Sequence, residues 1–261
     1  MSDSPRQLPM LRVSAWESVP QLVHGFCGRR GGNSGAAFAE FNLSFAVGDD
    51  PDAVRQNWRC LGQTVGGLRF MGMRQRHSDT CVRVDGDGAP PEADALITAV
   101  PGLALCILTA DCVPLLLVAP DRRVVAAVHA GWRGTLLGIA RQAVHAVRHH
   151  FGVPPAALHA ALGPSIGACC YQVDREIAAD IERRWGAMPE AVTQDGSKRR
   201  LDLRVINRAL LVGVGVPPTQ IVSVGPCTRC AGDAYFSYRA ACASDPTGRT
   251  GRQLSFIGWN R

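Results

Sequence analysis

Leu103-Ala-Leu-Cys-Ile-Leu-Thr-Ala-Asp111-Cys112 and Val124-Val-Ala-Ala-Val-His129-Ala-Gly-Trp-Arg133-Gly134 are two apolar runs that each end in a metal-ligand residue. Both are continuous rather than alternating, which predicts strands covered on both faces within a layered sheet system. Upstream, His77 sits in the polar stretch Arg74-Gln-Arg-His-Ser-Asp79. One thiolate and two imidazoles, from Cys112, His77 and His129, form a ligand set that suits zinc and leaves a fourth position open. Closed structural zinc sites carry four ligands, so this trio points to catalysis at strand ends.

Working outward, further strand-like runs are Arg83–Asp85, Leu115–Val118, Leu158–Leu162, Ile221–Val224 and Leu254–Ile257. Helical periodicity predicts one helix over Thr135–Phe151, with Leu136, Ala140, Ala143, Val144, Val147 and Phe151 on its apolar stripe. Asp174 and Asp202 read as N-caps of two more helices. Pro154-Pro155 and Pro217-Pro218 act as stops. The expected fold is mixed α/β (α+β), with central layered β-sheets flanked by helices. One domain over 9–261 is expected, after a loose N-terminus at 1–8; no linker or repeat divides the chain.

Composition narrows the function classes. Hydrophobic residues make up 46% and charged residues 19%, a globular balance. The net charge of +6 comes from scattered arginines, Lys198 being the only lysine, and no basic run interleaves with aromatics. Nucleic acid is therefore not an expected partner. The apolar stretch around Leu103–Val118 is broken by Asp111 and Pro114, so no membrane span is expected. Met1–Pro20 lacks the pattern of a secretory signal, which makes the ten cysteines reduced thiols in a cytoplasmic protein. Nothing in the sequence sets the oligomeric state.

Several short motifs occur in a fixed order: Arg29-Arg-Gly-Gly32, Phe41-Asn-Leu43, Val47-Gly-Asp-Asp50, Thr109-Ala-Asp-Cys112, His129-Ala-Gly-Trp-Arg-Gly134, Leu162-Gly-Pro-Ser-Ile-Gly167 and Phe236-Ser-Tyr-Arg239. Together they resemble the YfiH/laccase-domain family, once described as multicopper polyphenol oxidases and now as purine nucleoside phosphorylases. The resemblance spans about Val23 to Trp259. It implies a metal held by His77, Cys112 and His129, the trio already chosen on ligand chemistry. It also implies phosphorolysis of adenosine, inosine, guanosine and 5'-methylthioadenosine, with adenosine deamination as a side activity. Two departures stand out: the family's usual Gln-Val-His-Gly is Gln75-Arg-His-Ser78, and a longer stretch, Ala240–Arg249, follows Ser-Tyr-Arg.

Asp111, beside a ligand, is a candidate proton carrier or an orienter of a histidine. Arg133, at a predicted helix start, and Arg29 are candidate phosphate forks. Asn42 and Arg239 lie in motifs that the resemblance assigns to substrate contacts. Two competing readings use the same residues. Copper (Cu2+) in place of Zn2+ would support phenol oxidation, although the histidines contain no His-x-His pair. Cys112 as nucleophile with His129 as base would make a hydrolase, and the resemblance of related bacterial proteins to a peptidoglycan-editing factor implies cell-wall precursors as its substrates. Cys227-Thr-Arg-Cys230 is a lone Cys-x-x-Cys without a matching second pair, so a structural zinc site is not expected there; adjacent cysteines such as Cys169-Cys170 rarely bridge, and the family that the chain resembles commonly carries them. His145, His149 and His150 read as a solvated helix face.

Overall fold

The computed structural model describes residues 8–261. With strands numbered in chain order, a five-stranded sheet runs β1 (Met10–Leu11), β2 (Leu22–Cys27), β14 (Gln253–Trp259), β6 (Leu103–Thr109) and β3 (Arg69–Met71). A six-stranded sheet runs β13 (Ile221–Ser223), β9 (His159–Leu162), β7 (Val113–Ala119), β8 (Val124–Ala130), β5 (Ala95–Thr98) and β4 (Cys81–Arg83). A small antiparallel sheet joins β10 (Gln172–Val173), β12 (Lys198–Leu201) and β11 (Val192–Asp195). The helices are α1 (Pro51–Val65), α2 (Trp132–Leu137), α3 (Ile139–Phe151), α4 (Arg175–Trp185), α5 (Leu203–Gly213) and α6 (Tyr238–Ser244).

The layering follows from strand periodicity. Successive side chains on a strand point to opposite faces. On β7, Leu116 and Val118 face one core with Leu103, Leu105 and Ile107 of β6, which locks the two large sheets face to face. Val113, Leu115 and Leu117 face the other way, onto α3 residues Ala140, Ala143, Val144 and Val147 and α5 residues Ile206 and Leu210. Cys106 of β6 and Phe256 of β14 turn outward from the sandwich toward Leu61 of α1. Both main strands are thus buried on both sides, as their continuous apolar runs predict. The result is a single-domain α+β sandwich, α1 on one side and α3 and α5 on the other.

Local boundaries differ from the sequence reading where a residue's conformation overrides its neighbours. Gly138 is left-handed (φ 88) and closes α2 with bonds from its amide to Gly134 and Thr135 carbonyls, so the expected Thr135–Phe151 helix is two helices. Asp202 caps α5 by accepting the Arg204 and Val205 amides, whereas Asp174 holds the N-cap position without a side-chain cap and pairs with Lys198 at 3.3 Å. The strand expected at Arg83–Asp85 is β4, Cys81–Arg83. Residues 1–7 of the expected loose N-terminus lie outside the described residues; Leu8 is buried against Phe41 and Phe256. No helix among the described residues is long and apolar enough to cross a membrane.

Candidate metal centre and active site

The chain crosses from one large sheet to the other between Thr109 and Val113, and Cys112 sits on that crossing. His129 stands opposite Pro114 near the end of β8, and His77 lies in the loop after β3. All three converge at one end of the sandwich. Their ligand atoms lie within 4.8 Å of one another, with Cys112 Sγ 3.9 Å from His77 Nε2. Gly131 permits this approach, since a Cβ there would come within 2.7 Å of the His77 ring and 3.0 Å of Cys112 Sγ.

Asp94, which sequence reasoning missed, organises the trio. It is fully buried immediately before β5. Its Oδ1 accepts from the His77 amide (3.0 Å) and His129 Nδ1 (2.8 Å). Its Oδ2 accepts from the Arg76 amide (3.1 Å), the Ser78 amide (2.7 Å) and the Ser78 hydroxyl (2.7 Å). Burial alone would raise this carboxyl's pKa, but the bonds from His129 and Ser78 hold it well below the usual range. With Nδ1–H committed to Asp94, His129 presents Nε2 toward the other ligands. Ser78, one of the two departures from the family pattern, thus supplies two of the five bonds.

The electrostatics favour a thiolate. Burial works against it, yet the facing His129 and His77 pull the Cys112 thiol down to about 6. His129 is desolvated too, but Cys112 and Asp94 push its pKa up to about 9. A soft anionic sulfur and two imidazoles, one with its second nitrogen fixed by a carboxylate, fit a metal ion by ligand type and spacing.

A cavity of about 340 Å3 opens on the trio, lined also by Gln75, Leu108, Thr109, Ala110, Tyr238 and Arg252. That volume falls in the usual range for small-molecule sites, roughly 300–1,000 Å3. Gln75 forms one wall by bonding both the amide and the carbonyl of Leu108, as a neighbouring strand would. Thr109 Oγ1 is buried with no partner. Arg252 leans over the Tyr238 ring at 5.8 Å. It was not singled out from the sequence, although an arginine just before a strand that pairs with the one leading to Cys112 was a usable signal.

The other sequence candidates sit around this cavity rather than in it. Asp111 (φ 93) spends one oxygen on Thr228 Oγ1 and the other on the Arg239 amide, both at 2.7 Å, which anchors the first turn of α6. Asn42 is fully buried, bonding Ser44 and Asp49 and accepting the Arg252 amide at 2.9 Å. Arg29 donates to the carbonyls of Ala39 (2.7 Å) and Gly232 (2.8 Å), stacks on Phe236, and lines a second cavity with Ala240 and Ala241. Arg239 donates to the Gln172 carbonyl at 2.6 Å and stacks on Tyr171. Arg133 is exposed beside the Trp132 ring and does not line the cavity.

Residues 23–260 match the model of the family described as multi-copper polyphenol oxidoreductase laccase. The chain belongs to this family. It is 35% identical over 251 residues to "Purine nucleoside phosphorylase YlmD" of Geobacillus stearothermophilus, covering 90% of this chain and 89% of that one. It is 37% identical to a purine nucleoside phosphorylase of Deinococcus radiodurans, covering 97% and 94%. A protein of an unknown prokaryotic organism named adenosine deaminase RL5 is 34% identical, covering 83% and 88%. Among solved structures, the hypothetical protein YfiH of Bacillus licheniformis superposes with a TM-score of 0.88 at 33% identity, covering 99% and 98%. The enzymatic names of these relatives, and the layered fold shared with the YfiH structure, agree with what the sequence motifs imply.

Proposed function

We propose that this protein is a zinc-dependent purine nucleoside phosphorylase, acting on adenosine, inosine, guanosine and 5'-methylthioadenosine, with adenosine deamination in the same pocket. The observation that carries the reading is the His77–Cys112–His129 trio opening onto a cavity that also holds a cation, Arg252. In this reading His77, Cys112 and His129 hold the metal, which when bound supplies Lewis acidity and a lowered pKa for water. Asp94 keeps His129 in the ligating tautomer. Tyr238 offers an aromatic face for a purine. Arg252 attracts phosphate against the ribose, its backbone pinned by Asn42. Asp111 and Arg239 act through the position of α6, and Arg29 shapes the adjoining cavity. Arg133, lying outside the cavity, is a weaker phosphate candidate than Arg252. The unpaired state of all ten cysteines supports a reducing, cytoplasmic setting.

One observation favours a second reading: Cys112, His129 and Asp94 also form the chain of contacts expected of a Cys–His hydrolase. That reading leaves His77, within reach of Cys112, without a task. Copper chemistry has less support, since no His-x-His pair is present.

Chromatography of products from adenosine with and without phosphate tests the proposal. Adenine and ribose 1-phosphate should form only with phosphate, and inosine should form regardless of it. Arg252→Ala should raise the phosphate KM roughly ten- to a hundredfold, for a charge-assisted contact of about 1.5–3 kcal/mol, and leave deamination nearly intact. Adenine released without phosphate by a fully active metal-free enzyme would transfer the assignment to a hydrolase.

A further inference from the structure

A second cluster lies away from the cavity. Strands β9 and β13 are parallel neighbours, pairing Ala160 with Ile221, so the loops that follow them leave the sheet at the same end. The first carries Cys169-Cys170 and the second Cys227-Thr-Arg-Cys230. A bridge between Ser165 and Cys227, with the Thr228 amide donating to the Ser165 carbonyl at 3.1 Å, holds the loops together. The sequence expectation that Cys227-x-x-Cys230 stands alone is therefore corrected: its partner pair is Cys169-Cys170, joined through sheet topology rather than spacing.

We propose that Cys169, Cys170, Cys227 and Cys230 form a second, structural metal site that holds one tetrahedral zinc ion. All four sulfurs lie within 4.8 Å of one another, Cys230 Sγ being 3.4 Å from Cys170 Sγ and 3.6 Å from Cys169 Sγ. Zinc–thiolate bonds of about 2.3 Å place tetrahedral sulfurs roughly 3.8 Å apart, close to these separations. No pair is at the ~2.05 Å of a disulfide. A [4Fe–4S] cluster would stand between its thiolates and hold them farther apart than a single ion does.

Backbone donors and guanidinium groups border the cluster. The Gly167 amide donates to Cys227 Sγ at 3.3 Å, and the amides of Arg229 and Cys230 also face it. Arg200 binds the carbonyls of Ala168 and Cys169, and Arg204 binds the Gly225 carbonyl, so positive charge borders both loops. Four thiolates around a divalent ion carry net negative charge, which these guanidinium groups offset. Binding releases the thiol protons to solvent. Cys169 and Cys230 are exposed, so burial as small apolar side chains does not account for them. The clamp would also steady the catalytic turn: Ile166 donates to the Asp111 carbonyl at 2.9 Å and Thr228 to its carboxylate at 2.7 Å.

Elemental analysis of protein purified anaerobically with zinc present separates the two sites. The parent should hold two zinc ions per chain, Cys112→Ala one, and the double variant Cys169→Ser/Cys230→Ser one. Replacing the exposed pair is the mildest disruption; should that variant fail to fold, alkylation of the native parent decides. Cys169 and Cys230 should resist alkylation in the zinc-loaded protein and react once a chelator is added. Equal zinc in the parent and the folded double variant, or prompt alkylation of Cys169 and Cys230 with zinc present, would overturn the proposal. Neither readout depends on the activity assigned to the His77 site.

Discussion

Replacing Asp94 by asparagine should damage the metal centre without touching a ligand. The carboxylate accepts five bonds, two on Oδ1 and three on Oδ2. Asparagine has one oxygen and one amide nitrogen, so at least one side of the side chain meets donors with a donor. The smaller loss places nitrogen toward the His77 amide and His129 Nδ1. His129 can then be satisfied only by accepting there, which moves its proton to Nε2 and spoils the face turned toward Cys112. Charged hydrogen bonds contribute about 1.5–3 kcal/mol each, and two are lost from a fully buried position, so destabilisation of about 3–5 kcal/mol is expected. Zinc affinity should fall about 10- to 100-fold, the usual effect of removing an outer-shell partner. Urea unfolding of the metal-free protein measures the first quantity, and competition with a chromophoric chelator the second. An Asp94→Asn protein with the parent's unfolding midpoint and zinc affinity would refute the argument that this carboxylate builds the site.

Two further outcomes follow from the same geometry. Gly131→Ala places a methyl 2.7 Å from the His77 ring and 3.0 Å from Cys112 Sγ, so ligands must part; zinc affinity should drop while far-UV circular dichroism stays unchanged. His24 is buried, accepts the Val13 amide through Nε2 at 2.9 Å, and has its pKa lowered by burial from 6.5 to about 4. The unfolded chain therefore binds more protons between these values, and up to about 3 kcal/mol of stability should be lost as pH falls from about 6.5 to about 4. Urea midpoints across that range should fall less steeply for His24→Gln than for the parent; parallel slopes would count against it.

Long apolar runs made the core strands legible: a segment such as Val124–Val128 has no polar face to leave in solvent, so β8 could sit only inside a layered sheet. The grouping of His77, Cys112 and His129 was legible because thiolate and imidazole suit one metal, and Cys112 and His129 each end such a run. The small sheet was not, since Lys198-Arg-Arg carries charge where a core strand would carry aliphatic side chains. The α1 helix was missed despite Asp50 capping it and Pro51 opening it, because only a narrow stripe of it is buried. Asp94 was hidden for a different reason. Its five partners come from a turn and a strand well removed in sequence, and a lone aspartate before a strand carries no periodic signal. The same holds for Cys169 and Cys170, whose relation to Cys227 exists only through the pairing of β9 with β13.

The crossing at Ala110–Cys112 has one more implication. His77 lies in the loop that leads from the five-stranded sheet to the six-stranded one, its amide held by Asp94; His129 belongs to the six-stranded sheet, and Cys112 sits where the chain passes back between the two. Two of the three side chains therefore stand on connections between the layers, which ties their spacing to the packing of one sheet on the other. Leu105 and Leu116, buried between the sheets and outside the cavity, belong to that packing. Shortening Leu105 or Leu116 to alanine should therefore reach the spacing of the His77–Cys112–His129 trio as well as the core, at a cost of about 2–5 kcal/mol of stability.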